Sequence, residues 1–395
     1  MIVKPLKILV LSFYFKPDLS AGSFRTTAFV DALRVRMPMN GQIVVLTTLP
    51  NRYSSFSVEA PAEEILPGLS IVRISLPPHQ SGMLDQAKSF ISFAREVLRQ
   101  TQGQKYDLVF ATSGRLMTAV LGAWVARKNR TKLYLDIRDI FVDTIKDVLP
   151  RFLAVLTKPV FDLLERWAIN SADKVNLVSQ GFAEYFSARY PKQRFSFYTN
   201  GIDEEFLLVP KPEPVQRLRD LVVVIYAGNL GEGQGLHAII PDLAKRMHGK
   251  ISFKIIGDGG RKSALRVALE RTGVDNVELL PPMTRPQLIA AYQAADVLFL
   301  HLNEYDAFKK VLPSKLFEYG AMGKPIWAGV SGYAADFVRA ELDNSAVFHP
   351  CDSAEAERVF GQLRLKHEAR FLFESKFARK NIVSELAKDV LESIV

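Results

Sequence analysis

Cysteine is nearly missing from this 395-residue chain: Cys351 stands alone. One thiol forms no intramolecular disulfide, and such scarcity suits a reducing compartment, which predicts a cytoplasmic protein. Long apolar runs are missing too. None reaches the roughly 18 residues that span a bilayer as a helix. The start, Met1-Ile-Val-Lys-Pro-Leu-Lys-Ile-Leu-Val-Leu-Ser12, holds a short apolar run with no small-residue cleavage site after it and reads as a first strand, not a signal peptide. Two phosphate-binding signatures are absent: no loop carries Gly-x-Gly-x-x-Gly, and none ends in Gly-Lys-Ser/Thr. No basic run interleaved with aromatics occurs, so no nucleic-acid partner is expected. Asp-x-Asp is absent as well. A divalent cation bridging a diphosphate would find no carboxylate pair, and no metal cofactor is expected.

What the chain has is apolar bulk and positive charge. An apolar fraction of 48% and a mean hydropathy of +0.06 suit a well-packed globular protein. At 395 residues the chain exceeds one comfortable core, which predicts two domains. The net charge of +9 is lopsided: residues 1–200 hold 26 Lys+Arg against 16 Asp+Glu, and the remainder holds 25 against 26. A basic half beside a neutral half fits a domain that meets an anionic partner such as a membrane surface; ordinary solvated surface charge accounts for it equally well.

Strand–loop–helix units follow one another along the first half. The strand Lys7–Phe13 leads through a loop into a helix from about Phe24 to Arg34, placing Gly22, Ser23 and Arg25 at the strand's carboxy-terminal edge, where open α/β sheets bind ligands. Gln42–Thr48 and Ser70–Leu76 are further strands, and the polar loop Pro77-Pro-His79-Gln-Ser-Gly82 precedes a helix. That helix carries Phe90, Phe93, Ala94, Val97 and Leu98 as an apolar stripe, with Lys88, Arg95 and Arg99 on another face. Such a helix packs on a sheet or lies on an anionic membrane. Tyr106–Ala111 ends in Thr112-Ser113-Gly-Arg115. The strand from Lys132 ends in Asp136-Ile-Arg138-Asp139, charges that a buried strand tip must either pair internally or use on an acceptor. Phe152–Ile169 is a strongly apolar helical stretch that Pro159 should kink, with Arg151, Lys158 and Arg166 beside it; it is a second candidate for membrane contact. Ala172–Ser179 is another strand, and Asn200-Gly201 a turn.

A proline-bearing linker, Leu208–Asp220, opens the second half. The strand Leu221–Ala227 runs into Gly228-Asn-Leu-Gly231-Glu-Gly233-Gln-Gly235, four glycines in eight residues, a loop that can approach a diphosphate closely. Strands ending at Gly257-Asp258-Gly259, before Pro281-Pro282-Met283 and at His301 repeat the alternation. Leu312–Gly329 then reads as loop, short helix opened by Pro313 and Ser314, stop at Gly323 and Pro325, and buried strand. A helix start after a polar loop presents free N–H groups to anions. Lys315 there suits phosphate, and Glu318 suits sugar hydroxyls. The amphipathic tail Phe377–Val395 is expected to pack back across the domains. The economical architecture is α/β: two doubly wound Rossmann-like domains facing across a cleft, residues 1–207 and 208–376, with the helix 377–395 crossing back.

This ensemble resembles the retaining glycosyltransferases of family 4, of GT-B fold, and within them the bacterial branch that builds O-antigen and capsule sugars, including N-acetylfucosamine transferases. The residues that carry the resemblance are Tyr226–Leu236, Ile256–Gly259, Pro313–Tyr319 with Gly323–Pro325, Phe15–Pro17 with Gly22 and Arg25, Pro78–Gly82, Arg138-Asp139 and Asn200-Gly201. The resemblance implies transfer of a sugar from a nucleotide diphosphate, usually UDP, to a sugar on a polyprenyl diphosphate at the inner membrane, so a peripheral membrane protein. It implies that Glu318 binds ribose, that Lys315 and the Gly228–Gly231 amides meet the diphosphate, and that Pro282-Met283 meets the base. Gly22, Asn229, Gln234, Asp258, Pro313, Ser314 and Leu316 complete the expected donor set. Arg25, His79, Ser113, Arg138 and Asp139 form the acceptor side, with Asp139, His79 and Lys315 as the catalytic candidates.

The chain departs from the family at three places. Lys310 stands seven residues before Glu318, where many members have a glutamate that touches the donor sugar, and Asn229 and Gln234 replace an Arg and a Lys of the glycine-rich loop. Lys315 therefore carries more of the expected charge, with Arg261 or Lys262 as substitutes. Two other readings stand beside transfer. A sugar-nucleotide epimerase would need acid/base carboxylates and histidines around the donor, and the six histidines show no such cluster. A weakly catalytic scaffold of a polysaccharide assembly would fit the missing charges.

Overall fold

The computed structural model describes residues 5–51, 59–77, 83–142, 151–210 and 221–394. The chain divides into two compact units, one of residues 1–200 with 380–395 and one of residues 201–379. Each is a Rossmann-like α/β layer.

The first unit holds β1 (Lys7–Leu11), β2 (Gln42–Thr48), β3 (Glu63–Leu66), β4 (Leu69–Ile74), β5 (Leu108–Ser113), β6 (Lys132–Ile137), β7 (Lys174–Leu177) and β8 (Phe195–Ser196). Their order is β3-β4-β2-β1-β5-β6-β7-β8. Only β3, an edge strand that the sequence pattern did not suggest, runs antiparallel, against β4. Continuous apolar strands are covered on both faces, as parallel pairing requires. Phe29 stacks on Phe110 with centroids 4.1 Å apart, and Phe110 on Tyr134 at 5.7 Å. Val383, Leu386 and Val390 of the final helix, Arg379–Glu392, close this same core.

The second unit holds β9 (Val222–Asn229), β10 (Ile251–Asp258), β11 (Val277–Leu280), β12 (Val297–His301), β13 (Ile326–Gly329) and β14 (Ser345–Phe348). They are parallel in the order β11-β10-β9-β12-β13-β14. Trp327, fully buried, packs among Phe253, Phe299 and Phe348 and donates its indole N–H to the Ala356 carbonyl at 3.2 Å. Burying each such ring contributes roughly 1.5–3 kcal/mol.

Several local expectations shift. The first helix begins at Ala21, not Phe24, because Ser20 caps it by accepting from the Ser23 N–H at 3.1 Å. Gly22, Ser23 and Arg25 are therefore helical and buried. The helix Arg151–Ser171 runs unbroken through Pro159. On the helix Met83–Thr101 the stripe of Phe90, Phe93 and Val97 is buried, and Phe93 meets Phe13 at 5.3 Å. That stripe packs on the sheet and is not open to a membrane. The tail is broken at Ala378 into Phe371–Phe377 and Arg379–Glu392.

Candidate functional site

In the first sheet the strand order reverses between β1 and β5, where doubly wound sheets receive ligands. Arg25 sits there, but 1% exposed. Its Nε and Nη2 donate to the two carboxylate oxygens of Asp136, each at 2.9 Å, and Nη1 and Nη2 donate to the Thr199 and Tyr198 carbonyls, each at 2.7 Å. Thr112 at 3.0 Å and Asn176 at 2.7 Å also donate to Asp136. Burial opposes ionisation of Asp136, yet Arg25, Asn176 and Arg138 outweigh it and hold the carboxyl below its ordinary range. The partner of Asp136 is thus Arg25 rather than Arg138, and Arg25 ties β6 to the segment before Asn200 instead of facing an acceptor.

Arg138 and Asp139 follow β6. The Arg138 guanidinium lies so close over Gly22 that a Cβ there would overlap it, and a Cβ on Gly114 would stand 3.3 Å from it. Gly22 thus makes room for an arginine. Asp139 is exposed by area but enclosed by protein on most sides, which pushes its carboxyl up to about 6 against the pull of Arg138. Ser113 is buried, its hydroxyl donating to the Arg115 carbonyl at 3.1 Å, so it shapes the turn. His79 lies outside the described residues.

In the second sheet the reversal falls between β9 and β12. Here β9 delivers the glycine-rich loop and β12 leads into the helix Lys315–Ala321. The Lys315 chain passes over Gly228, its Cε 3.1 Å from where a Cβ would stand. Lys315 Nζ donates to Glu318 at 3.3 Å and to the Tyr292 hydroxyl at 3.3 Å. Arg285 donates to the other Glu318 oxygen at 3.2 Å. Glu318 is half-buried, which disfavours its charge, but Lys315 and Arg285 prevail and keep the carboxyl below its ordinary range. The site is an ionised carboxylate between two cations, beside a glycine-rich loop.

The remaining donor candidates divide between the loop and its surroundings. Asn229 donates to Gln234 Oε1 at 2.9 Å, and the Gly231 N–H is directed at the same oxygen at 3.3 Å, so these two side chains close the loop. A 3-10 turn, Glu232–Gln234, intervenes, and the next helix begins only at Leu236, so no helix start follows Gly231 directly. Asp258 accepts from the Gly259 N–H at 2.9 Å. Arg261 is ion-paired with Glu232, and Lys262 donates to the Gly257 carbonyl at 3.2 Å. Met283 is half-buried in the turn after β11. Pro313 and Ser314 lead into the Lys315–Ala321 helix, where Leu316 is buried, although Ser314 makes no side-chain cap. Lys310 ends a 3-10 turn, Asp306–Lys310. Among the described residues no group of three or more His, Cys, Asp or Glu stands ready for a metal.

Two participants carry no signal in the sequence. Arg285, the first residue of the helix Arg285–Ala294, is held by Asp203, by Glu205 at 3.1 Å and by Glu318, and lies 4.8 Å from the centre of the Phe206 ring. His301 is fully buried and pins the glycine loop: Nδ1 lies 2.7 Å from the Gln234 carbonyl, and Nε2 accepts from the Cys351 N–H at 2.9 Å. Burial pushes His301 down to about 4, so the ring is neutral, with its proton on Nδ1.

Comparison with known proteins places two family models in series on the chain: a glycosyl transferase 4-like domain over residues 27–201 and glycosyl transferases group 1 over residues 212–370. A 101-residue stretch is 32% identical to WcaI of Escherichia coli K12, named for a glycosyl transferase of colanic acid biosynthesis. That match spans 26% of this chain and 25% of the relative. Among solved structures, the Anabaena protein HepE in complex with UDP-glucose matches 98% of this chain and 100% of its own, at a TM-score of 0.67 and 18% identity. Sucrose-phosphate synthase of Thermosynechococcus elongatus matches 98% and 96%, at 0.66 and 14%. At these identities the likeness speaks for the fold.

Proposed function

For a chain that belongs to the glycosyltransferases, with a 4-like domain followed by a group 1 domain, we propose transfer of a sugar from a UDP-type nucleotide diphosphate with retained anomeric configuration. The acceptor is a polyprenyl-diphosphate-linked sugar or glycan, met at the inner face of the cell membrane during bacterial surface polysaccharide assembly. The observation that carries the reading is the meeting of Lys315, Glu318 and the Gly228 loop at the reversal of the second sheet. HepE, of similar fold, holds UDP-glucose, and WcaI is named for colanic acid.

In this reading the loop lets the diphosphate approach backbone, and Lys315 faces the oxygen that takes the electron pair as the bond to the sugar carbon breaks. A fixed cation there stabilises charge that develops only in the transition state. No metal is required for that role. Glu318 accepts from the ribose hydroxyls, and Met283 lies toward the base. Arg285 keeps the carboxylate ionised. On the acceptor side, Asp139 has a carboxyl near 6, suited to taking a hydroxyl proton near neutral pH.

The test is a screen of UDP- and GDP-sugars against a short-chain polyprenyl-diphosphate sugar, with wild type, Lys315→Ala and Glu318→Ala. Transfer by the wild type alone, with UDP raising its melting temperature, is the expected outcome. Wild-type rates in either variant would end the donor-site assignment.

A further inference from the structure

Asp203 stands at the N-cap of the short helix Glu204–Leu207, yet its carboxylate accepts from none of that helix's N–H groups. An aspartate at that position ordinarily caps. Two arginines take the carboxylate instead. Arg285 donates to Asp203 Oδ2 through Nη2, while Arg379 sets its Nε 2.5 Å from Oδ1 and donates from Nη2 to Oδ2 at 3.4 Å. The Arg379 side chain is 6% exposed and that of Asp203 14%, so the joint is shielded from water. Its backbone is fixed as well: the Ile202 N–H donates to the Phe377 carbonyl at 2.8 Å, and the Arg379 N–H to the Ile202 carbonyl at 2.9 Å. The second unit begins at Gly201 and ends at Arg379, so this joint ties its two ends together.

Arg285 carries the joint to the donor site. Its three nitrogens face three different carboxylates: Nη2 that of Asp203, Nε that of Glu205 at 3.1 Å, and Nη1 that of Glu318 at 3.2 Å. The guanidinium also lies over the buried Phe206 ring. Because a guanidinium is planar and rigid, anchoring two of its nitrogens and laying its plane on a ring aims the third. Glu205 is 60% exposed and holds weakly, which leaves Asp203 as the main anchor, with Arg379 gripping that anchor on its other oxygen. Arg379, Asp203, Arg285, Glu318 and Lys315 thus make a row of alternating charge from the ends of the unit to the Gly228 loop. A joint serving the fold alone would be complete with Arg379 and Asp203. Arg285 extends it to a carboxylate of the site.

We propose that Asp203 and Arg379 are positioning residues for the donor site: they set the angle of Arg285, which holds the Glu318 carboxylate where the ribose hydroxyls meet it. This rests on the reading that Glu318 accepts from ribose. The carboxylate is then oriented before the nucleotide arrives, and binding does not have to order it. Donor affinity depends on residues at the two ends of the unit.

The experiment has a ligand-free arm and a nucleotide arm, both on the full-length protein. Denaturant titration of Arg379→Gln, Glu318→Gln and the double variant closes a cycle between distant members of the row. Coupling through Asp203 and Arg285 should move the double variant's unfolding constant at least about three-fold from the product of the single changes, beyond the scatter of independent sites. Losses that simply add overturn the proposal. In calorimetric titration with UDP, well below the unfolding midpoint, Asp203→Asn should raise Kd roughly ten-fold and Arg379→Gln roughly three-fold. In transfer assays the KM for the donor should rise by the same factors while kcat stays within about two-fold, the mark of lost ground-state binding. Lowered unfolding midpoints with Kd and KM unchanged would make the joint purely structural and also overturn the proposal. If the wild type binds no UDP, the donor reading fails, and the ligand-free cycle alone decides whether Arg379 and Asp203 position Glu318.

Discussion

At the reversal of the first sheet the Arg25–Asp136 pair is sealed, with side-chain exposures of 1% and 2%; at the reversal of the second, Lys315, Glu318 and Arg285 keep 19%, 13% and 14%. The topology is the same and the charges are of the same kinds. What differs is saturation. Arg25 directs its donors to a carboxylate and two carbonyls of its own unit, whereas Lys315 rests on a hydroxyl and a carboxylate beside a glycine-rich loop. One crossing point has turned its charge into a structural joint, and the other keeps its charge beside open backbone.

Removing a member at each point breaks the comparison most directly. Asp136→Ala leaves Arg25 buried and uncompensated and should lower stability by roughly 3–5 kcal/mol in denaturant titration. Lys315→Ala should instead leave the unfolding midpoint near wild type while transfer falls roughly 10²–10³-fold. Equal stability losses in the two variants would erase the distinction.

Glycines sharpen it. Gly22→Ala meets the far end of the flexible Arg138 side chain, which can swing aside, and should destabilise by about 1 kcal/mol or less. At Gly228 the neighbours are the flexible end of Lys315 and the Tyr226 hydroxyl, each 3.1 Å from where a Cβ would stand, and the backbone φ of +154° is one that side chains rarely adopt. Gly228→Ala should therefore lower stability by roughly 1–3 kcal/mol and raise the KM for the donor several-fold. A raised KM in Gly22→Ala, or an unchanged one in Gly228→Ala, would reverse the assignment.

The last effect is a pH slope. His301 is neutral when folded, near 4, against 6.5 when unfolded, so the unfolded chain binds more protons between those values. Stability should be full above about 6.5 and fall by up to about 1.4 kcal/mol per pH unit on the way toward 4. His301→Gln should flatten that part of the curve; an unchanged slope would clear His301 of the role.

Strand positions were legible because parallel strands buried on both faces are continuous apolar runs, and Gly228–Gly235 and Leu312–Gly329 stood out because glycine and proline punctuate them. The Arg25–Asp136 pair was not legible. Its members lie 111 positions apart, and nothing in either neighbourhood marks one as the other's partner. Arg285 escaped for a similar reason: at a helix start behind Pro281-Pro282 it reads as a surface cation, and only the fold brings Asp203, Glu205 and Glu318 around it. Whether an arginine faces water or a carboxylate is decided by tertiary packing, which spacing along the chain does not record.

The final helix has a consequence for synthesis. Leu386, Ala387 and Val390 complete the core built on Ile8, Phe29 and Phe110, and Asp389 accepts from the Tyr134 hydroxyl at 2.6 Å and pairs with Lys174. As the ribosome delivers the chain, the first unit's apolar face waits uncovered while the whole second unit is made. A nascent chain stalled before residue 380 thus carries a nearly finished domain with its core still open, a substrate for chaperones and proteases, and the helix that follows withdraws it from them.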